Sequence, residues 1–274
     1  VNEVYLHPLT VGELLDKAFR LYRARFTALI GIAAAVLIPE GIVRLLAILY
    51  LGTTGGSLVT SVMQGFIRLI SNIALAVFIA HAYLGKPISF NESFSLGLKR
   101  YWSVWGANFL VGLAIGLPVG IVAACGMLTL GIGTVAIFLA IPLVFFLSTR
   151  WSLSMPAILL ENMDASSGLK RSWDLTEKFF WRVLGTSFAA GLLTTLITLI
   201  PTYFSQYLFG LTDIDSDTVQ IINLAVEQLA LLIALPFAQA VTVLMYYDLR
   251  VRKEGFDLQV LAESSNAPIV SPEG

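Results

Sequence analysis

The chain has 274 residues, 57% of them hydrophobic and only 13% charged, with a mean hydropathy of +0.82. Soluble globular chains carry about 25% charged residues, so an ordinary soluble domain is excluded and an integral membrane protein is expected. A net charge of −1 gives no basis for nucleic-acid binding, and the single cysteine, Cys125, excludes an intramolecular disulfide or a cysteine metal cluster. The N-terminal stretch VNEVYLHPLT lacks a basic n-region and a cleavage site, so the first span is expected to insert as a permanent anchor.

Thr10-Val11-Gly12-Glu13 matches a capping box and predicts a helix start. Val11, Leu14, Leu15, Ala18, Phe19 and Tyr22 then recur at helical spacing, opposite Asp16, Lys17, Arg20 and Arg23. This is an amphipathic elbow of the kind that lies at a membrane surface before the chain turns in. Phe26 to Tyr50 is apolar for long enough to cross a hydrocarbon core of about 30 Å, although Pro39, Glu40 and Arg44 interrupt it. Leu51 to Gln64 predicts a turn, and Gly65 to Tyr83 a second span containing Arg68, Asn72 and His81.

A second capping box, Ser89-Phe90-Asn91-Glu92, opens a second elbow with Phe90, Phe94, Leu98, Tyr101 and Trp102 on one face and Lys99 and Arg100 off it. The third span, Trp105 to Ala124, carries Gly112, Gly116 and Gly120, a small-residue stripe expected to pack against a neighbouring helix. A hairpin is predicted over Gly126 to Gly133. Its GIGTVA, Gly131 to Ala136, fits a dinucleotide fingerprint only formally, because no βαβ context or downstream acid accompanies it. A fourth span runs to Arg150 and is broken by Pro156. The third elbow follows from Asp164, with Ala165, Leu169, Trp173 and Phe180 opposite Lys170, Arg171, Asp174, Glu177 and Lys178. A fifth span, Phe180 to Ile200, is stopped by Pro201. The last, Val219 to Tyr247, holds Glu227, Gln228, Pro236 and Gln239.

The predicted fold is therefore all-α and polytopic, with six transmembrane helices forming one membrane domain over 1–262 and a disordered tail at 263–274. Caps at 10, 89 and 164 suggest three repeats, 10–83, 89–160 and 164–250, each an elbow helix and a helical hairpin. Fifteen of the 17 basic residues flank the spans on the elbow side, and the opposite loops hold only acids, so the positive-inside rule places both termini in the cytoplasm. The sequon at Asn91 would then be silent.

Arg150 to Gly185, RWSLSMPAILLENMDASSGLKRSWDLTEKFFWRVLG, and Tyr246 to Ala262, YYDLRVRKEGFDLQVLA, resemble the membrane-domain family of glycerophosphoryl diester phosphodiesterase. The likeness extends over nearly the whole chain and is to the stand-alone prokaryotic members. It implies a link to membrane lipids or their glycerol-phosphate products, because in some relatives such a domain is joined to a soluble catalytic phosphodiesterase. No residue here inherits that catalysis. The soluble enzyme needs His, Glu and Asp clusters around a metal, whereas this sequence has only His7 and His81.

Charges inside spans are costly in lipid and mark candidate sites. Glu40, Arg44, Arg68 and Glu227 form a candidate intramembrane polar cluster, all reaching the outer third when counted at about 1.5 Å per residue from the elbow edge. Glu40 and Arg44 also match an i, i+4 pair, and Glu40 and Arg68, matched in estimated depth, are expected as partners across two spans. Static ion pairing is the simpler reading of these four, and a transport site the alternative. Lys17, Arg20, Lys99, Arg100, Lys170, Arg171 and Lys178 are candidates for anionic lipid headgroups, or for topology alone. His81 reads as a packing residue without a second ligand. Asp213, Asp215 and Asp217 begin like a calcium loop but lack its glycine and closing glutamate, so Asp217 is expected to cap the last helix.

These features predict a non-catalytic membrane module without metal or cofactor, a lipid-associated scaffold or accessory subunit in a prokaryotic cytoplasmic membrane. Its expected partners are membrane lipids and other membrane-protein subunits. A small solute, ion or lipid transporter is the alternative, supported by Pro39, Pro118, Pro142 and Pro236; a membrane-embedded enzyme comes third.

Overall fold

The computed structural model describes residues 7–128, 134–212, 214–256 and 258, without the side chains of 53–60, 62, 125–128, 134–139, 216 and 217. The side chains of Cys125 and Asp217, residue Asp213, the glycines of the 131–136 motif, the hairpin beyond Leu128 and the tail at 263–274 lie outside that description.

The described residues are almost all helical, with short connections between the helices. α1 (Val11–Ala24) begins at Thr10, whose backbone N–H donates to Glu13 Oε2 at 2.7 Å while its hydroxyl accepts from the Glu13 amide at 3.3 Å. α2 (Phe26–Tyr83) is continuous except at Gly52, which sits at φ 70°, ψ 175°. The predicted turn over Leu51 to Gln64 thus contracts to one non-helical residue, in a conformation open to glycine at little steric cost. Its two arms are paired: Arg68 Nε lies 2.8 Å from Glu40 Oε1, although 28 residues of straight helix would separate them by roughly 40 Å.

α3 (Phe90–Leu98) starts with the second capping box, Ser89 to Glu92. α4 (Tyr101–Leu128) and α5 (Thr134–Trp151) follow, then the short α6 (Ser154–Leu160) and the third elbow, α7 (Ala165–Thr176). Pro156 lies in the first turn of α6, where a missing N–H costs nothing. The break ahead of α6 is bridged by α7: Ser172 Oγ donates to Arg150 O at 2.7 Å and accepts from the Leu153 amide at 3.1 Å. Asp164 caps α7 with extended backbone but, unlike Thr10 and Ser89, without a backbone capping bond from its side chain. The hydroxyls of Ser167 and Ser166 hold its carboxyl down at about 2.

α8 (Phe180–Gly210) runs through Pro201 instead of ending there, and α9 (Ser216–Glu254) through Pro236. In lipid an unwound backbone finds no water to bond, so helix persists through proline more readily than in a soluble protein. Asp215, two residues earlier than expected, caps α9 by accepting from the Thr218 amide at 2.9 Å.

Six helical segments are long and apolar enough to cross a membrane: Phe26–Gly52, Met63–Tyr83, Tyr101–Ala124, Ala140–Leu160, Phe180–Gly210 and Thr218–Glu254. The core lies between the second arm of α2 and α9, with Ile73, Leu75, Ile79, Leu244, Tyr246 and Leu249 sealed from solvent. Each elbow rests on this core through a narrow spine. Leu14, Ala18 and Tyr22 are buried on α1, Ser93 and Gly97 on α3, and Gly168, Ser172 and Leu175 on α7. A Cβ at Gly97 would stand 2.4 Å from Ile73 Cγ2, and one at Gly168 would stand 2.2 Å from Ile158 Cγ1. These two elbows approach the bundle closer than a side chain permits.

Candidate functional site

Four charges meet between α2 and α9. Arg68 Nε is 2.8 Å from Glu40 Oε1, Arg44 Nη1 is 2.9 Å from Glu227 Oε2, and Arg68 Nη2 is 3.7 Å from Glu227 Oε1. The i, i+4 pair of Glu40 with Arg44 is not what forms. Each acid takes a base from another helical arm, which neutralises the charge and ties three spans together. Glu40 is 3% exposed, so a cation against it offsets a desolvation of several kcal/mol. Several buried polar atoms have no hydrogen-bond partner: Glu40 Oε2 and Arg68 Nη2 within the quartet, both amide atoms of Gln228 next to it, and, further along their helices, Asn72 Oδ1 and Gln239 Oε1. Gly41 leaves room for Gln228, whose Cγ would lie 3.4 Å from a Cβ there.

A second set of charges, of which sequence reasoning singled out only Arg171, and that for lipid, clasps the elbow end. Asp248, buried on α9, accepts from the Leu9 amide at 2.7 Å and from Arg182 Nε and Arg252 Nε, each at 3.0 Å. Both arginines also donate to Leu9 O. Nearby, Glu161 receives Arg171 Nε at 2.9 Å and the Tyr246 hydroxyl, while Glu254 takes Arg171 and Arg250. Burial opposes the charge on Arg171, but its hydrogen bonds to Glu254 and Glu161 prevail and raise its pKa above the ordinary arginine value. The YYDLR stretch is therefore the clasp itself: Tyr246 and Arg250 converge on Glu161, while Asp248 reaches Leu9 and Arg182. Arg150 completes this end, its guanidinium 5.0 to 5.5 Å from the rings of Phe146, Trp173 and Phe180.

The headgroup candidates divide. Lys170 and Lys178 are exposed on and just after α7, Lys99 is exposed between α3 and α4, and Arg20 is exposed beside Asp16 at 2.7 Å. Lys17 is half-buried with Nζ 5.1 Å from the Tyr83 ring, and burial pulls its pKa below the usual lysine range. Arg171 is the exception, committed to Glu161 and Glu254 and withdrawn from the surface. Gly112, Gly116 and Gly120 correct another expectation: a Cβ at each would meet nothing within 4 Å. α4 packs on α5, α6 and α7 through its other sides, which leaves the stripe facing outward. His81, half-buried, has Nδ1 2.9 Å from Val77 O.

The fold and its neutralised interior charges define a polytopic helical membrane domain. A family model described as the membrane domain of glycerophosphoryl diester phosphodiesterase matches residues 115–271, more than half of the chain, and the chain belongs to that family. The match begins within α4, so the first two spans lie outside it. No curated protein and no solved structure matches the chain.

Proposed function

We propose that this chain is a non-catalytic membrane module that holds anionic lipid at its elbow end and serves as a scaffold or accessory subunit in a prokaryotic cytoplasmic membrane. The observation that carries this reading is the surface of that end. Exposed Arg20, Lys99, Lys170 and Lys178 lie on or beside the elbow helices, together with exposed Phe19, Phe90, Trp102 and Trp181. Aromatic rings favour the headgroup boundary, and each cation near an anionic surface contributes about 1 kcal/mol. The deeper cations Arg171, Arg182, Arg250 and Arg252 already have carboxylate partners and Arg20 has Asp16, so exposed Lys99, Lys170 and Lys178 are those offered to lipid. Replacing Lys170 and Lys178 with Gln should weaken retention of phosphatidylglycerol by at least about tenfold while leaving the amount of inserted protein unchanged. Equal retention, measured by lipid analysis of the purified protein, would refute the role in lipid binding.

A transporter is the second reading, favoured by the unpartnered polar atoms of Glu40, Arg68 and Gln228 at the outer charges. Its test is the double variant Glu40→Leu with Arg68→Leu. Removing both members of a buried pair can be nearly neutral, whereas Arg68→Leu alone strands Glu40 and should cost about 3 to 5 kcal/mol. A scaffold keeps its lipids and partners in the double variant. Loss of a measured solute flux from a stable double variant would instead establish the transporter.

A further inference from the structure

At the elbow end, α2, the junction of α3 with α4, and the end of α6 line an open cavity of about 510 Å³, within the range of about 300–1,000 Å³ common for small-molecule sites. Its polar lining is His81, Lys99, Arg100 and Asn162, and Leu159 and Leu160 form an apolar wall. No carboxylate lines it. Neither Lys99 nor Arg100 has an ion-pair partner among the described residues, in contrast to the clasp arginines. Glu161, next to Asn162 in sequence, is already held by Arg171, Arg250 and Tyr246. The cavity therefore keeps a positive charge that the protein itself leaves uncompensated.

The backbone around it is built to place those groups. Asn162 has φ 57°, the one non-glycine residue with positive φ among the described residues. The Met163 amide donates to Ile158 O at 3.2 Å, closing α6 with a left-handed cap of the Schellman type. Glycine would serve that conformation as well; asparagine adds an amide at the cavity lining. With Nδ1 held at Val77 O, His81 has its other ring nitrogen as the one not bound to backbone. Lys99 and Arg100 immediately precede the span Tyr101–Ala124, and His81 lies two residues before the end of Met63–Tyr83. The cavity thus sits at the level where a span meets the headgroups, beside the exposed Trp102.

We infer that this cavity is a binding site for a phosphate ester, held by Lys99 and Arg100 with the Asn162 amide as a further donor. An ammonium, a guanidinium and an amide offer N–H groups to several oxygens at once, which suits phosphate. The phosphate arrives either on a lipid headgroup, with its apolar part along Leu159 and Leu160, or on a small soluble ester. The inference rests on the lipid-associated reading and names one site within it.

Two arms distinguish the sources. In the first, delipidated full-length protein in neutral detergent is titrated with glycerol 3-phosphate and its thermal unfolding followed, against sodium chloride at equal ionic strength. In the second, the protein in phosphatidylcholine nanodiscs with or without phosphatidylglycerol is examined by native mass spectrometry for retained lipid. Saturable binding in the first arm assigns a soluble ester, and binding in the second arm alone assigns a headgroup. In either case Lys99→Gln with Arg100→Gln should weaken binding by at least about tenfold. Asn162→Gly, which suits the same backbone, should weaken it severalfold without lowering the unfolding temperature. Absence of saturable binding in both arms, or wild-type binding by both variants, overturns the site. If Lys170→Gln with Lys178→Gln loses lipid while the cavity variants do not, the site falls and the membrane-surface reading stands; if no variant changes lipid, both fall.

Discussion

Asp248 shows how one carboxylate can organise an end of a membrane protein. Its side chain is sealed from solvent, it answers two arginines, and through the Leu9 amide it fixes the segment ahead of α1. Asp248→Asn keeps the shape but leaves Arg182 and Arg252 facing one another without a counter-charge. Stranding one side of a buried ion pair costs about 3 to 5 kcal/mol, so this variant should unfold at a clearly lower temperature in detergent. Arg20→Gln, which removes an exposed i, i+4 partner, should lose less than about 1 kcal/mol by the same measurement. The sequence offered little warning of this difference. The arginines at 250–253 are a topological signal in any span of this kind, and Asp248 is simply the acid among them. What makes it special is Leu9, 239 residues away, and a backbone group carries no mark in a sequence. The outer quartet was legible because a charge inside an apolar run is conspicuous. The pairing of Glu40 with Arg68 was legible as well, because the two lie at matched depth in their spans and do meet; the i, i+4 spacing of Glu40 and Arg44 satisfies a local rule, but their actual partners lie on other arms.

The elbow helices extend this lesson to elements. Their amphipathic pattern is clear in the sequence, and two capping boxes are present where Thr10-Glu13 and Ser89-Glu92 predict them. The pattern does not say which apolar residues meet protein and which meet lipid. The answer lies in size: eight residues after each cap stand Ala18, Gly97 and Ser172, all buried, whereas the larger Phe19 and Leu98 that follow the first two are exposed. A small contact residue lets an elbow lie close to the bundle while its large neighbours face outward. Gly97→Ala pushes a methyl against the branched Ile73 and should cost about 1 to 3 kcal/mol of stability. Gly116→Ala enters open space and replaces glycine in a helix, so it should be neutral or stabilising by up to about 1 kcal/mol. Thermal unfolding of the two variants side by side checks the contrast; equal losses would place α4 against a partner that survives purification.

For the whole molecule, six spans bring the three elbows to one end and the Gly52 kink and the α8–α9 connection to the other. From the basic residues we propose that the elbow end faces the cytoplasm. In a Cys125→Ala background, Thr212→Cys should react with an impermeant thiol reagent added to intact cells, and Ser167→Cys only after the membrane is opened. The opposite pattern would invert the molecule in the membrane. Span count and apolar lengths were readable because lipid imposes a minimum helix length. The continuity of α8 through Pro201 was not, because the rule that proline ends a helix is learned where water can take up the freed carbonyl.

The attachment of Leu9 to Asp248, Arg182 and Arg252 also sets an order of events during synthesis. A ribosome delivers the first elbow long before the residues that hold it, and until α9 emerges the main-chain groups of Leu9 lack the carboxylate and one of the guanidinium groups that engage them in the finished protein. Every earlier span must be threaded while the front of the chain is still loose. A contact of such sequence separation is among the last that a growing chain can make, so the final helix acts as a latch, and a ribosome that stalls before it leaves an open molecule for quality-control proteases to find.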